Sequence, residues 1–162
     1  MNQKLADKLY KKYPKIFAQR HLDCSLTAMC WGFQCDDGWY DLIDSLCDWI
    51  SWHVENSPHR YPDIQFSTVK EKFGGLRIYF DSIEMTEEEW KRETGGELIG
   101  GYKQYLKCCK SGFNEIRGVV SFTESQSYKI CEHCGAPGKK RKGYWIHTYC
   151  DKCESEYLKE GK

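Results

Sequence analysis

The chain has 162 residues, enough for one hydrophobic core with a small module beside it, and its 24 basic and 24 acidic residues give no net charge. Zero net charge excludes a global attraction to nucleic acid or membranes, so any anion binding must be local. No apolar run is long enough to span a bilayer, and the N-terminus lacks the apolar stretch of a secretory signal. The ten cysteines are therefore predicted to be reduced thiols of a cytoplasmic protein.

Two amphipathic helices are predicted in the first third of the chain. Leu5, Leu9 and Tyr13 recur at helical spacing before a proline interrupts the pattern, which indicates a short helix within residues 2–13. A longer helix is predicted over residues 38–55, where apolar residues again recur with a period close to 3.6.

The segment 64–80 is predicted to form a β-hairpin. Gly74 and Gly75 can adopt the positive φ angles of a two-residue turn, and residues that favour β-strands flank them. With this turn, Lys72 lies directly opposite Arg77, because paired residues share a face of the ribbon.

One face of this hairpin is predicted to be apolar and the other cationic. The cationic face collects three basic side chains and one aromatic ring: Lys70, Lys72, Arg77 and Tyr79. Basic side chains that converge on one face bind phosphate or carboxylate groups. We therefore predict a ligand site here, with internal pairing to carboxylates as the alternative.

Residues 82–128 are predicted to be a mainly helical insertion or extension. A short helix begins near Thr86, two glycine pairs follow, and a second helical pattern runs towards residue 128 with an allowed break at Ser111–Gly112. We divide the chain into an α+β domain, residues 1–128, and a C-terminal module, residues 129–162.

Two CxxC pairs near the C-terminus predict one metal site. Fifteen residues separate the pairs, a spacing typical of four-cysteine zinc sites. The predicted ligands are Cys131, Cys134, Cys150 and Cys153. Four thiolates saturate tetrahedral Zn²⁺, so the site is predicted to be structural rather than catalytic. His133 and His147 lie close enough in sequence to replace one cysteine as a ligand.

Four consecutive cations lie between the two CxxC pairs. They are predicted to occupy the tip of the ribbon and to contact phosphates: Lys139, Lys140, Arg141 and Lys142. Tyr144 and Trp145 follow at once and can stack on bases. The alternative is a solvated loop without a ligand.

An acidic stripe occupies one face of the predicted second helix. Its members recur at helical spacing: Asp37, Asp41, Asp44 and Asp48. They can pair with the cations of the hairpin, bind a divalent cation, or remain solvated.

Four cysteines in the first third of the chain admit two interpretations. With His21 they can form a second metal site, but their spacing is irregular, and buried apolar thiols are the preferred interpretation: Cys24, Cys30, Cys35 and Cys47.

An enzymatic function has little support in the sequence. A zinc deaminase needs HxE followed by PCxxC, and here Ile130 precedes the first CxxC pair where proline is required. Cys47 with His53 is the remaining candidate for a nucleophile and its base. The glycine pairs match neither a P-loop nor a dinucleotide-binding fingerprint.

Three blocks of the sequence resemble a largely uncharacterised family of small proteins encoded by bacteriophages and prophages, with a C-terminal zinc ribbon. The blocks are "FQCDDGWYDLIDSLC", "VKEKFGGLRIYF" and "CEHCGAPGKKRKGYWIHTYCDKC". The resemblance implies an accessory protein that acts in the cytoplasm of the bacterial host, where it binds nucleotides or host factors to counter a defence process. It implies no catalytic residues.

We therefore predict an α+β fold, a small antiparallel sheet covered by helices and followed by a zinc ribbon. The predicted function is non-enzymatic capture of a nucleotide or nucleic-acid backbone, and no membrane partner is expected. The alternative is inhibition of a host protein through an aromatic surface that includes Trp49 and Trp52. The sequence leaves homo-oligomerisation open.

Overall fold

A computed structural model describes residues 1–143 and 145–159 and shows an α+β fold. The helices and strands, in chain order, are α1 Gln3–Lys12, α2 Tyr40–Asn56, β1 Asp63–Lys72, β2 Gly75–Ile83, α3 Glu87–Thr94, α4 Gly101–Ser127, β3 Lys139–Lys140, β4 Thr148–Tyr149 and α5 Asp151–Lys159. Short 3₁₀ turns occupy Ala18–His21, Ala28–Trp31 and Asp37–Trp39. The two predicted N-terminal helices are confirmed, and none of the described helices has the length and apolarity needed to cross a membrane.

The core lies between the β1–β2 hairpin and the helices α1, α2 and α4. Its fully buried side chains include Phe17, Trp39, Ile43, Phe66 and Leu76. A bulge between Phe66 and Thr68 shifts the register of β1, so that Phe66 and Val69 both face inward although they are three positions apart.

The predicted turn is wrong by one residue, and the predicted pairing of the strands is therefore wrong by two. The turn consists of Phe73 and Gly74, whose φ angles are 56° and 78°, and Gly75 is the first residue of β2. Positive φ at both central positions is the geometry of a type I′ turn. Lys70 therefore lies opposite Arg77, and Lys72 lies opposite Gly75.

Gly75 lies in the strand because the ring of Tyr128 occupies the space beside it. A Cβ atom at Gly75 would come within 2.5 Å of a ring carbon of Tyr128. The displaced turn changes the partners but leaves the cations on one face, because the pairing shifts by two residues and side chains alternate with a period of two.

Helix α4 is continuous, which contradicts the allowed break at Ser111–Gly112. Gly112 is buried where α4 crosses the chain at Arg60, and a Cβ atom there would lie 2.1 Å from the Arg60 carbonyl oxygen. The glycine thus permits close packing rather than ending the helix. Further along α4, Glu124 and Ser127 accept hydrogen bonds from the backbone N–H groups of Ile78 and Leu76, at 2.8 and 2.9 Å.

The ribbon is fixed to the rest of the fold at two places. Beside α2, the Trp39 indole N–H donates to the Ile130 carbonyl at 3.0 Å, and Gly38 N–H donates to the Glu132 carbonyl at 2.7 Å. At the hairpin turn, the buried Thr148 hydroxyl donates to the Gly74 carbonyl at 2.6 Å. These contacts hold the ribbon against the tip of the hairpin.

The acidic stripe does not pair with the hairpin. Asp44 accepts from Lys12 Nζ at 3.0 Å and from the Tyr13 hydroxyl at 2.9 Å, while Asp48 lies 3.7 Å from the same lysine. Asp37 accepts from the backbone N–H and the side-chain amide of Asn2, both at 2.6 Å. The partners of the stripe are therefore residues of the N-terminal segment, which folds across the start and middle of α2.

The prediction of reduced, buried thiols is wrong for two of the four N-terminal cysteines. Cys24 and Cys30 form a disulfide, because a turn closed by Leu26 N–H on the Asp23 carbonyl is followed directly by the 3₁₀ turn that contains Cys30, and their Cα atoms are 5.4 Å apart. Cys24 is also exposed. Cys35 and Cys47 are buried free thiols, as predicted.

Candidate functional site

The C-terminal CxxC pairs meet in a single four-sulfur cluster. The Sγ atoms of Cys131, Cys134, Cys150 and Cys153 all lie within 4.8 Å of one another. Those of Cys134 and Cys150 are 3.8 Å apart, close to the separation of about 3.8 Å that two thiolates have on one tetrahedral Zn²⁺ ion. The donors and their spacing therefore fit a bound metal ion.

Local backbone geometry prepares both pairs for this role. Gly135 has a φ of 78° and donates its N–H to the Cys131 carbonyl, which closes the tight turn of the first pair. In the second pair, the Cys153 N–H lies 3.4 Å from Cys150 Sγ and is the main cause of a pKa of about 7 for that thiol, whereas burial raises the pKa of Cys131 and Cys153. A low pKa favours the thiolate, which is the form that binds metals.

The two nearby histidines lie outside this cluster. His147 is buried with its Nε2 atom 2.7 Å from Glu154 Oε2, and His133 Nδ1 lies 3.6 Å from Asp36 Oδ2. With four sulfur donors the coordination shell is complete, so the site can stabilise the ribbon but has no open position for a substrate.

Lys70, Arg77 and Tyr79 share one face of the hairpin, as predicted. Lys70 lies directly opposite Arg77, and its Nζ atom is 5.7 Å from the centre of the Tyr79 ring. Lys72 is exposed beside the turn. Within the part of the chain that the structure describes, none of the three cations forms a salt bridge with a carboxylate.

Tyr128, which the sequence analysis did not select, connects this face to the ribbon. Arg77 Nη2 donates to the Tyr128 hydroxyl at 2.6 Å, and Lys140 Nζ lies 5.1 Å from the centre of the same ring. Cations from both predicted sets therefore meet on one aromatic ring, where each is within cation–π distance. The only sequence signal for this contact is Gly75, which leaves room for the ring.

The four cations at 139–142 have different environments. Lys139 and Arg141 both pair with Asp151, at 2.9 and 2.7 Å, and Arg141 also donates to the Tyr149 carbonyl. Lys140 and Lys142 are exposed and form no salt bridge with a described residue. Of the predicted phosphate contacts, these two are the better placed. Tyr144, the first predicted stacking residue, lies outside the described residues.

The contact between Arg77 and Tyr128 makes a testable contribution to stability. Tyr128→Phe removes only the hydroxyl group and is expected to lower the free energy of unfolding by about 1 kcal/mol, since Arg77 loses a partner for a partly buried donor. Urea unfolding of both single variants and of Arg77→Ala/Tyr128→Phe measures the coupling. Strictly additive effects would show that the two side chains do not interact.

The enzymatic candidates are not arranged for catalysis. Cys47 is fully buried, and burial raises the pKa of its thiol well above the usual value. His53 stacks on Trp49 with ring centres 3.7 Å apart, and its Nδ1 atom lies 2.8 Å from the Trp49 carbonyl. Trp49 is partly buried by this packing, whereas Trp52 is 59% exposed.

Comparison with protein-family models, curated proteins and solved structures found no match to this chain. The functional proposals therefore rest on the geometry of the cysteine cluster and of the cations around Tyr128.

Proposed function

We propose that this chain is a non-enzymatic binding protein that captures an anionic ligand, a nucleotide or a nucleic-acid backbone, on the surface shared by the hairpin and the ribbon. We call this the cationic surface; it comprises Lys70, Lys72, Arg77, Lys140 and Lys142. The observation that carries the proposal is the meeting of Arg77 and Lys140 on the ring of Tyr128.

The hairpin cations form no salt bridge with a described carboxylate, although Glu124 is close enough to act on the charge of Arg77, and this favours binding over structural pairing. Like charges directly opposite each other in a β-ribbon are destabilising, and Lys70 faces Arg77 without a carboxylate partner in the described residues. The acidic stripe does not neutralise these cations, because Asp44 pairs with Lys12 and Asp37 accepts a hydrogen bond from Asn2. An anion that binds between these cations would relieve their repulsion.

We propose zinc as the metal of the cysteine cluster. Four thiolate donors in a closed tetrahedral set are typical of structural Zn²⁺, whereas Mg²⁺ and Ca²⁺ require oxygen ligands. The metal supports function indirectly, because the ribbon carries Lys140 and Lys142 and presents them beside the hairpin. The resemblance to phage proteins supports a setting in an infected bacterium, where capture of the ligand would counter a host defence process.

Neutralising the exposed cations should weaken binding and its dependence on salt. We expect Lys72→Gln/Lys140→Gln/Lys142→Gln to bind oligonucleotides at least tenfold more weakly at low salt. The slope of log K against log salt should fall by about 2, since each lost phosphate contact removes 0.7 to 0.9. Fluorescence anisotropy with a labelled oligonucleotide across a salt series measures both quantities.

The matched control is Lys103→Gln/Lys107→Gln/Lys110→Gln on α4. These lysines are exposed and lack salt bridges to described residues, and they lie about 25 Å or more along the helix from Tyr128. The control changes net charge equally but should leave binding unchanged. Equal weakening by both triple variants would indicate a diffuse charge effect, and no binding by the parent to oligonucleotides or nucleotides would refute the proposal.

The exposure of Trp52 favours a second candidate, inhibition of a host protein through an aromatic contact. Such a complex should depend little on salt and should weaken in Trp52→Ser. A host protein captured at high salt by the parent but not by Trp52→Ser would favour this candidate over anion capture.

A further inference from the structure

Phe73 at the tip of the hairpin adopts an unfavourable conformation without being buried. Its φ of 56° makes it the only non-glycine residue with positive φ among the described residues, and its side chain is 61% exposed. Position one of a type I′ turn normally holds Asn, Asp or Gly, because a bulky side chain is disfavoured there. Burial in the core does not offset the cost of the positive φ angle, because the Phe73 ring is exposed. A strained residue of this kind indicates a functional role for its side chain.

The tip is held rigidly against the ribbon. The Gly74 carbonyl accepts from the buried Thr148 hydroxyl, and a Cβ atom at Gly74 would lie only 3.2 Å from the His147 carbonyl carbon and 3.3 Å from Ile146 Cγ2. The Phe73 side chain therefore projects from a fixed turn, and it lies beside Trp145 and Ile146. A ligand that uses the ring would not have to order the tip first.

Phe73 and Trp145 line the same groove. Both side chains are 61% exposed, and the groove between them has a volume of about 360 Å³ with Glu71, Lys72 and Ile146 in its wall. The Glu71 carboxylate accepts from the Gly74 backbone N–H at 2.6 Å. Ile146 also lines an adjacent cavity of about 400 Å³ whose other walls are Lys140–Gly143. The groove with the two exposed aromatic rings thus adjoins the cavity that is lined by cations, and Ile146 belongs to the walls of both.

We infer that the anionic ligand is single-stranded nucleic acid, with an unpaired base between Phe73 and Trp145 and the neighbouring phosphates along Lys72, Lys140 and Lys142. This inference rests on the proposed function and specifies its ligand.

The arrangement fits a single strand better than the other anions. Aromatic rings stack on the faces of bases, which are accessible in a single strand and covered in a duplex. A mononucleotide offers one base and phosphates at one position, whereas the two adjoining cavities extend the site beyond a single nucleotide. An acidic peptide would use the cations but has no need of two exposed rings.

Two substitutions separate the role of the rings from that of the charges. Phe73→Asn removes the ring and introduces the residue that a type I′ turn prefers, so the thermal midpoint should be unchanged or higher. Trp145→Leu removes the second ring and retains an apolar side chain. Each variant should bind a labelled 16-nucleotide single strand about tenfold more weakly, in line with the loss of one base-stacking contact. The matched control is Trp31→Leu, because Trp31 is 70% exposed in the 3₁₀ turn Ala28–Trp31, outside the groove; it should bind like the parent.

Fluorescence anisotropy at one salt concentration should show weaker binding of the duplex of the same sequence and of a mononucleotide. Unchanged single-strand affinity in both ring variants would overturn the inference, and so would equal affinity for the duplex or for the mononucleotide. If the lysine triple variant nevertheless loses binding, the proposed function stands without the stacking site. If the parent binds none of these ligands, both proposals fail.

Discussion

Removing the metal is expected to unfold the ribbon while the hairpin and helices α1, α2 and α4 remain folded. In small zinc domains, metal binding supplies most of the folding free energy, about 10 kcal/mol or more at pH 7. The described ribbon has only two short two-residue strands and one helix of its own, so little else can hold it together. Hydrogen exchange after chelation should therefore show loss of protection over residues 131–153 first.

Cys131→Ser tests the same point without a chelator. Cys131 is fully buried, and its replacement should abolish stoichiometric zinc and lower the midpoint of thermal unfolding by about 10 °C. Cys108→Ser is the matched control, because Cys108 is a free cysteine on α4 outside the cluster. Absence of zinc in the purified parent, or equal effects of the two substitutions, would refute a structural zinc site.

The sequence predicted those features that depend on residues close together in the chain. The period of apolar residues predicted α1 and α2, and the sequence around Thr86 predicted α3, whose first turn has a capping box with Glu89. The spacing of the CxxC pairs predicted the cysteine cluster, because a tight turn brings the two cysteines of each pair together and one tetrahedral metal ion needs both pairs as ligands.

The errors arose where a distant residue decides a local choice. Two consecutive glycines favour a turn at Gly74 and Gly75, yet the ring of Tyr128 takes the space at Gly75 and moves the turn to Phe73. Likewise, Gly112 resembles a helix break in the sequence, but its role is to leave room for the carbonyl of Arg60. Local propensity carries no information about such contacts.

Pairing of charges and thiols is similarly non-local. Pairing with the hairpin was one of three alternatives for the acidic stripe, but α1 packs beside it and Lys12 binds Asp44. The spacing of Cys24 and Cys30 does not distinguish a disulfide from two buried thiols, because only the path of the loop between them brings their Cα atoms together. The candidate ligand residues of the hairpin nevertheless share one face, because moving the turn by one residue shifts the pairing by two residues and keeps the alternation.

Gly112→Ala and Gly118→Ala should change stability in opposite directions although both add one methyl group to the same helix. At Gly112 the new Cβ atom would lie 2.1 Å from the Arg60 carbonyl oxygen and 2.9 Å from Tyr61 Cδ1. A backbone carbonyl cannot rotate away like the end of a flexible side chain, so α4 itself must shift. We expect a loss of about 2 to 4 kcal/mol in the free energy of unfolding.

At Gly118 a Cβ atom would meet nothing within 4 Å, and the position is exposed. Alanine there should raise the free energy of unfolding by about 0.5 to 1 kcal/mol, because it restricts the unfolded chain and favours the helix. Urea unfolding of the two variants gives both values. Similar effects of the two substitutions would mean that α4 does not cross Arg60 as closely as described.

The shift forced by Gly112→Ala should also reach the cationic surface. Helix α4 carries Glu124 and Ser127, which accept hydrogen bonds from the backbone of β2, and it ends next to Tyr128. Movement of the helix away from Arg60 would therefore displace Tyr128 from Arg77 and Lys140. We expect Gly112→Ala to bind oligonucleotides more weakly than Gly118→Ala at a temperature where both are folded. Equal affinity would show that Tyr128 keeps its place independently of the contact between α4 and Arg60.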